Sequence, residues 1–472
     1  MGAMKQSFPP TIILLCLILF FCRPTTACAV EAHQKIQGPF SSLLEANRAC
    51  MKCHQQQVDD IKKSVHWTWQ RKRTINGKMV LSTINSDLSR FAIAAKNNPD
   101  VCHRCHIGTF PGNPFLLTTT NQPVNCLICH DTTGLYSPGV EPSRLEMIAR
   151  LAGRSSVHNC LICHDQQCGL VPSSTAPLTS DVHMQRYGFT CLQCHPDNGH
   201  HSPARTMPTN SGQTGDTGCA GCHGQSPHTL ARLNQHALRI DCRSCHIPVY
   251  GDARPVLISW NWLLSGSKYR LSRHDNALAG DGFLMDTEIR PIYEWDDGSD
   301  RLYLRGDRAK QGTTTLLQGP GPRTPASKIM PFVLQYGIQL KDKKFHYLLS
   351  PLLSRHKPPF FTNNDPQQAV SSGMQALRLP YSGESTTAIT VALRRLNHGV
   401  KPASQSLGCL DCHGSGAGFN WHTLGYQQDP WTNGRNNIQA PPPASAPPTI
   451  SLPPVEESVL PVMPEMGAGA SR

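Results

Sequence analysis

The sequence is poor in the residues that usually build a core. Aromatic residues make up 7% and hydrophobic residues 39% of its 472 positions, too few for side chains alone to fill an interior of ordinary density. Beyond the N-terminus, no apolar run approaches the length of a membrane span, which argues against a helical membrane protein. Lysine is missing altogether between Lys96 and Lys268. Cysteine and histidine, by contrast, are abundant, with 20 and 22 copies.

The N-terminus reads as an export signal. Lys5 supplies a basic start, and Thr11 to Cys22 is an apolar run too short to cross a bilayer. Ala27-Cys28-Ala29 has the small residues of a cleavage site, so residues 1–29 are expected to leave and the chain to reach the periplasm. Lipidation at Cys28 is the rival reading, against which stands the absence of a leucine in the preceding Thr-Thr-Ala. The formal charge of +12 falls to +10 once Lys5 and Arg23 are gone. Cys-x-x-Cys-His recurs eight times and marks haem attachment; at roughly −1 for each haem, two propionates against one net iron charge, the total comes close to +2 and arginines become propionate partners. Nucleic acid is therefore not expected as a partner.

Cys-x-x-Cys-His occurs eight times. The copies are Cys50, Cys53 and His54; Cys102, Cys105 and His106; Cys126, Cys129 and His130; Cys160, Cys163 and His164; Cys191, Cys194 and His195; Cys219, Cys222 and His223; Cys242, Cys245 and His246; and Cys409, Cys412 and His413. This is the attachment motif of c-type haem. Two thiols add across the porphyrin vinyl groups, and the histidine that follows reaches the iron as proximal ligand. Zinc knuckles or disulfides would account for the paired cysteines but not for a histidine in the same place every time. Eight covalent haem c groups are thus expected. With Cys16, Cys22 and Cys28 removed by processing, Cys168 is left as the one unassigned thiol, read as a buried residue without a role.

Seven motifs crowd between Cys50 and His246, so there the porphyrins are expected to form the core and, close-packed, to conduct electrons. The expected fold is mainly α and irregular, a multihaem cytochrome c with a small β-hairpin insertion. Its divisions are a seven-haem region at 30–250, a haem-poor insertion with the eighth haem at 251–438, and a Pro- and Ala-rich tail at 439–472. Helical spacing joins Val58, Ile61, Val65 and Trp69, and again Leu145, Ile148, Ala149 and Ala152. A hairpin is predicted from Ile292–Trp295 and Arg301–Leu304 around Asp297-Gly298. A helix is predicted from about Ser385 to His398, with Ile389, Ala392, Leu393 and Leu396 on one face and Gly399 as its stop.

Six-coordinate transfer haems need a second ligand, and histidine is the usual one. His66, His158, His183, His200, His201, His228, His236 and His398 lie near motifs or on predicted helices and form the candidate pool. His33, His274, His346 and His356, in polar surroundings far from motifs, read as surface residues.

Between about residues 33 and 430 the chain resembles the octahaem tetrathionate reductases. The likeness rests on the seven-then-one spacing of motifs and on local runs: Ser64-Val-His66-Trp-Thr-Trp69, Cys126-Leu-Ile-Cys-His-Asp-Thr-Thr-Gly134, Asp181-Val-His183-Met184, Cys245-His-Ile-Pro248 and Ser327-Lys-Ile-Met-Pro-Phe332. It implies a periplasmic reductase of small sulfur or nitrogen compounds, related in haem arrangement to hydroxylamine oxidoreductase and cytochrome c nitrite reductase. It also implies that the haem on Cys102 and Cys105 is catalytic. In that family a lysine ligates this iron and an Asn-x-x-Cys segment lies upstream. Here no lysine follows the motif, and the corresponding run is Ser89-Arg-Phe-Ala92. His106 is then the expected ligand, with Arg104 and Arg90 either stabilising an anionic substrate or pairing with propionates. Two functions stay open. One is an enzyme fed by a periplasmic or membrane-bound electron donor and acting on a small-molecule oxidant. The other is a non-catalytic conduit or reservoir with every haem six-coordinate.

Overall fold

The computed structural model describes residues 33–83, 88, 93–98, 105–108, 123–137, 139–164, 180–196, 199–200, 218–252, 255–264, 283–309, 314–352, 366–414 and 416–431. The expected signal peptide and tail, Arg90, Arg104, Cys102, Cys168, His201, His274 and His356 lie outside these residues.

Near the start of the described chain, helices are short and held by polar side chains. Helix α1 (Leu43–Met51) begins at Ser42, whose side chain accepts from the Glu45 amide, and buries Leu43, Ala46 and Asn47. Asn47 fastens the next haem motif to this helix. Its Oδ1 accepts from the Cys126 and Leu127 amides at 2.6 and 3.2 Å, while its Nδ2 donates to the Leu43 carbonyl at 2.8 Å. The expected helix at Leu145 is α5 (Pro142–Arg150), which starts on Pro142 and buries Leu145, Ile148 and Ala149 against α1 in a cluster with Phe40, Val58 and Leu127. The helix expected through Trp69 is two helices, α2 (Gln55–Ile61) and α3 (Val65–Thr68). Between them the Ser64 hydroxyl donates to the Ile61 carbonyl at 2.6 Å, and at the far end Trp69 turns left-handed with φ 50°.

A mixed sheet of nine strands corrects the mainly α expectation. Strands β1 (Gln70–Ile75) and β2 (Lys78–Thr83) form a hairpin through Asn76 and Gly77, whose φ values of 50° and 79° are those of a type I′ turn. The later strands are β3 (Val256–Asn261), β4 (Phe283–Asp286), β5 (Ile292–Asp296), β6 (Asp300–Leu302) and β7 (Thr315–Pro320). The longest, β8 (Lys328–Asp342) and β9 (Ser385–Arg395), follow. Their order is β2-β1-β6-β7-β9-β8-β3-β4, with β5 also on β8. β1 and β2 arise in the seven-haem stretch yet join this sheet, with Ile75 beside Asp300, so the sheet crosses the boundary expected at residue 250. Helix α12 (Pro366–Leu377) packs on the apolar cluster around Trp260, Leu317, Leu349 and Met374. At Gly337 a Cβ would stand 2.4 Å from the Trp260 ring, so β8 needs glycine there.

Two sequence expectations fail here. The segment 385–395 is strand β9, paired antiparallel with β8 along its whole length. The predicted hairpin does not form either: the turn at Asp297-Gly298 is present, but β5 pairs with β8 whereas β6 pairs with β7 and β1. A buried cation accounts for the divergence. Arg395 binds Asp296 through Nε and Nη2, and Asp300 through Nη1, at 2.6–2.7 Å, tying both ends of the turn to β9. Arg395→Ala strands buried Asp296 and leaves Asp300 with the longer 3.3 Å contact to Arg73, and it is expected to cost about 3–5 kcal/mol, read as a lower denaturant midpoint by circular dichroism. An unchanged midpoint would show that the triad contributes nothing net.

Candidate haem sites

One helical turn suffices to build each attachment site. Residues i and i+3 share a helix face, so both sulfurs point the same way and the histidine at i+4 follows beneath them. The structure makes this turn repeatedly. The His54 amide donates to the Cys50 carbonyl at 3.1 Å, His130 to Cys126 at 3.1 Å, His195 to Cys191 at 2.8 Å and His413 to Cys409 at 3.0 Å. The segments concerned include α4 (Leu127–His130), α6 (Val157–His164), α8 (Cys191–Cys194), α9 (Cys219–His223), α11 (Cys242–His246) and α13 (Cys409–Cys412).

Seven motif histidines each face one histidine from elsewhere in the chain. Ring centroids are 6.0 Å apart for His54 and His33, 5.9 Å for His130 and His200, and 6.3 Å for His164 and His66. They are 6.2 Å for His195 and His398, 6.1 Å for His223 and His183, 6.3 Å for His246 and His228, and 6.3 Å for His413 and His236. An imidazole nitrogen binds a metal at about 2 Å and the ring centre lies about 1.2 Å behind it, so two imidazoles across one metal stand about 6.3 Å apart. Ordinary aromatic contacts fall in the same range. They would not, however, join a motif histidine to a non-motif histidine seven times over. The residues therefore fit a haem iron held between each pair.

Six members of the candidate pool, His66, His183, His200, His228, His236 and His398, stand in these pairs. His158, in the first turn of α6, stands in none. His33, expected at the surface, is instead the partner of His54; it precedes α1, where no helical pattern marks it. His346 faces no motif histidine among the described contacts and sits in a turn beyond β8, its amide donating to the Asp342 carbonyl.

Bonds to the second nitrogen orient several of these rings, as they do for metal-bound histidines generally. Nδ1 meets the Gly153 carbonyl in His130 (2.7 Å), the Ala152 carbonyl in His33 (3.1 Å), Asp181 in His183 (3.0 Å) and Asp429 in His413 (2.6 Å). Burial, reinforced by the facing histidine, lowers the pKa of His236; burial also lowers that of His246. Both shifts favour the neutral imidazole that ligates metal.

The second motif is built differently. His106 is 1% exposed, and the indoles of Trp67 and Trp69 lie against it, at 5.5 and 4.8 Å. Its Nδ1 accepts from the Gly108 amide at 2.9 Å, which leaves the proton on Nε2, and Nε2 donates to the Trp67 carbonyl at 2.5 Å. Both ring nitrogens are thus bonded to backbone, a position that differs from the axial ligation expected of it. Lys96, the last lysine before the long gap, is exposed on a 3-10 turn (Ala95–Asn97) that Asn97 fastens to the Ser350 and Gly373 carbonyls.

Contacts between motif sulfurs, which become thioethers in the loaded chain, give the order of the sites. Cys50 lies against Cys126, Cys105 against Cys163, Cys160 against Cys191 and Cys219 against Cys242. Cys129 is close enough to interact electrostatically with Cys160 and Cys163, Cys194 with Cys219 and Cys222, and Cys245 with Cys412. Numbered along the sequence, these neighbours among the described sulfurs set site 3 beside sites 1 and 4, site 5 beside 4 and 6, site 7 beside 6 and 8, and site 2 beside site 4, where the Cys163 thiol also meets the Cys105 carbonyl at 3.8 Å.

Attachment turns, facing imidazoles and contiguous sulfurs together define a multihaem c-type cytochrome, a carrier of electrons on covalently bound haem c. Two family models match, "Cytochrome c554 and c-prime" over residues 49–131 and "Cytochrome c bacterial" over residues 258–416. The crystal structure of an octahaem cytochrome c from Shewanella oneidensis is similar at 30% identity and a TM-score of 0.76, covering 87% of this chain and 99% of that one. The chain belongs to the family of that octahaem cytochrome c. No curated protein matches the sequence. Among the described residues, no helix is long and apolar enough to cross a membrane.

Proposed function

We propose that this chain is a periplasmic cytochrome with eight haems, and that the haem on Cys102 and Cys105 reduces a small oxidised sulfur or nitrogen compound. The observation that carries the reading is the set of seven facing imidazole pairs beside a second motif whose His106 bonds the Gly108 amide and the Trp67 carbonyl. In this reading the seven pairs, His33 included, are axial ligands. Haem supplies one-electron transfer and, where a coordination position is open, a place for a small ligand on iron. In this reading site 2 is the one that keeps such a position. Its neighbour site 4 is a junction, reached from site 1 through site 3 and from site 8 through sites 7, 6 and 5. Trp67 and Trp69 border the open site and limit water around it.

The mature chain from Val30 is expected to carry eight haem masses in mass spectrometry; seven or fewer from a host competent in c-type maturation would defeat the proposal. Electron paramagnetic resonance of the oxidised protein is expected to give one high-spin ferric signal beside seven low-spin ones. Wholly low-spin spectra would leave the conduit as the function.

A further inference from the structure

Site 8 ends the long arm of sulfur contacts, and its surroundings differ from those of a sealed haem pocket. Trp431, 51% exposed, packs on His413 with 5.2 Å between ring centroids, and Arg232 lies over the same indole at 5.9 Å. Arg232 belongs to α10 (Ala231–His236), the helix that carries the facing His236, so indole, guanidinium and both histidines of the site are contiguous. Leu230 and Leu238, just outside the two ends of α10, and Leu410 of α13 are also exposed. Isolated exposed leucines need no explanation, but apolar groups gathered beside one redox site do.

Basic residues outnumber acidic ones there. Residues 224–240 contain Arg232 and Arg239 and no acidic residue, and the adjacent segment 321–328 contributes Arg323 and Lys328. Arg239 and Arg323 are near enough to repel each other, and Arg323 stacks on Trp295 at 3.8 Å. Two acids lie nearby: Asp411 accepts from the Gly408 amide, and Asp429 from the Gly414 and Trp431 amides and from His413, against the four cations Arg232, Arg239, Arg323 and Lys328.

We infer that this face is the docking surface for a soluble electron-transfer protein that presents an acidic rim around its own redox centre. The inference rests on the proposed haem chain. The exposed apolar groups supply a small dry contact next to the site, and the arginines orient the partner and raise its encounter rate. One electron passes from the partner's reduced centre to the ferric iron of site 8; the partner is oxidised by one equivalent, and no bond forms or breaks.

The test uses the full haem-loaded protein and reduced flavodoxin, a small acidic one-electron donor, in stopped flow. Arg232→Glu combined with Arg239→Glu is expected to slow haem reduction by flavodoxin at low salt at least about tenfold, and to flatten its salt dependence. Reduction by dithionite, which needs no docking, should be unchanged. Lys72→Glu on β1 is the control for charge alone and should leave the flavodoxin rate within about twofold. An unchanged rate in the double variant, or an equal loss in the Lys72 variant, overturns the inference. A lost dithionite phase in the parent protein would instead count against the haem chain itself.

Discussion

His33→Ala is expected to convert one low-spin haem into a high-spin one, whereas His158→Ala leaves every haem as it was. The two residues exchange the roles their sequence surroundings suggest. His33 stands 6.0 Å from His54 and is oriented through Nδ1 by the Ala152 carbonyl, but His158 faces no motif histidine in the seven pairs. A bis-imidazole iron that loses one ring takes water or nothing in its place, and both outcomes weaken the ligand field. Magnetic resonance and the optical charge-transfer region would read about one haem in eight changed, with a shift in that haem's potential. His66→Ala, His183→Ala and His398→Ala are expected to behave like His33→Ala. A spin change in the His158 variant, or none in the other four, would refute the pairing as axial ligation.

The largest loss of activity should follow removal of the second attachment site. A chain carrying Cys102→Ser and Cys105→Ser is expected to bind seven haems, keep seven low-spin spectra, and lose turnover by at least about a thousandfold. Steady-state assays with reduced viologen would compare nitrite, hydroxylamine and tetrathionate. No lysine lies between Lys96 and Lys268, and Ser89-Arg-Phe-Ala92 holds no thiol. Axial-ligand identity is a main control on haem reactivity, so the parent protein should favour nitrite or hydroxylamine and reduce tetrathionate weakly. Rapid tetrathionate turnover would show that lysine and thiol are both dispensable. Unchanged turnover without the second haem would move the chemistry to another site.

What the sequence made legible followed how local the determining physics is. A haem attachment turn is complete within five residues, and all eight motifs could be read outright. Second ligands come from far along the chain: His398 meets His195, and His33 meets His54, across distances no motif encodes. Proximity to a motif found His66 and His183 but also suggested His158 and missed His33. Strand β9 was misread for a different reason. It lies between β7 and β8 and is buried on both faces, so the alternation that marks a half-exposed strand is erased. Ile389, Ala392, Leu393 and Leu396 then fall at helical intervals, although Thr386, Thr387, Ile389, Thr390 and Val391 are β-branched and favour a strand. The Asn76-Gly77 turn is a strong local hairpin signal, and β1 and β2 pair through it. The parting of β5 from β6 depends on Arg395, about a hundred positions away, and no local pattern announces it.

The hairpin of β1 and β2 also sets a timetable. Arg73 bonds Asp300 across 227 residues, and Ile75 pairs with that same aspartate's strand. Synthesis runs from the N-terminus, so this hairpin is made with the early attachment motifs, long before β6 exists. Until then β1 carries an open strand edge on the side away from β2. Its basic run, Gln70-Arg-Lys-Arg73, is the kind of charge that discourages edge-to-edge association. Haem insertion into the first sites therefore competes with aggregation of an unfinished sheet, and maturation yield should depend on how long the arm must wait for its partner strand.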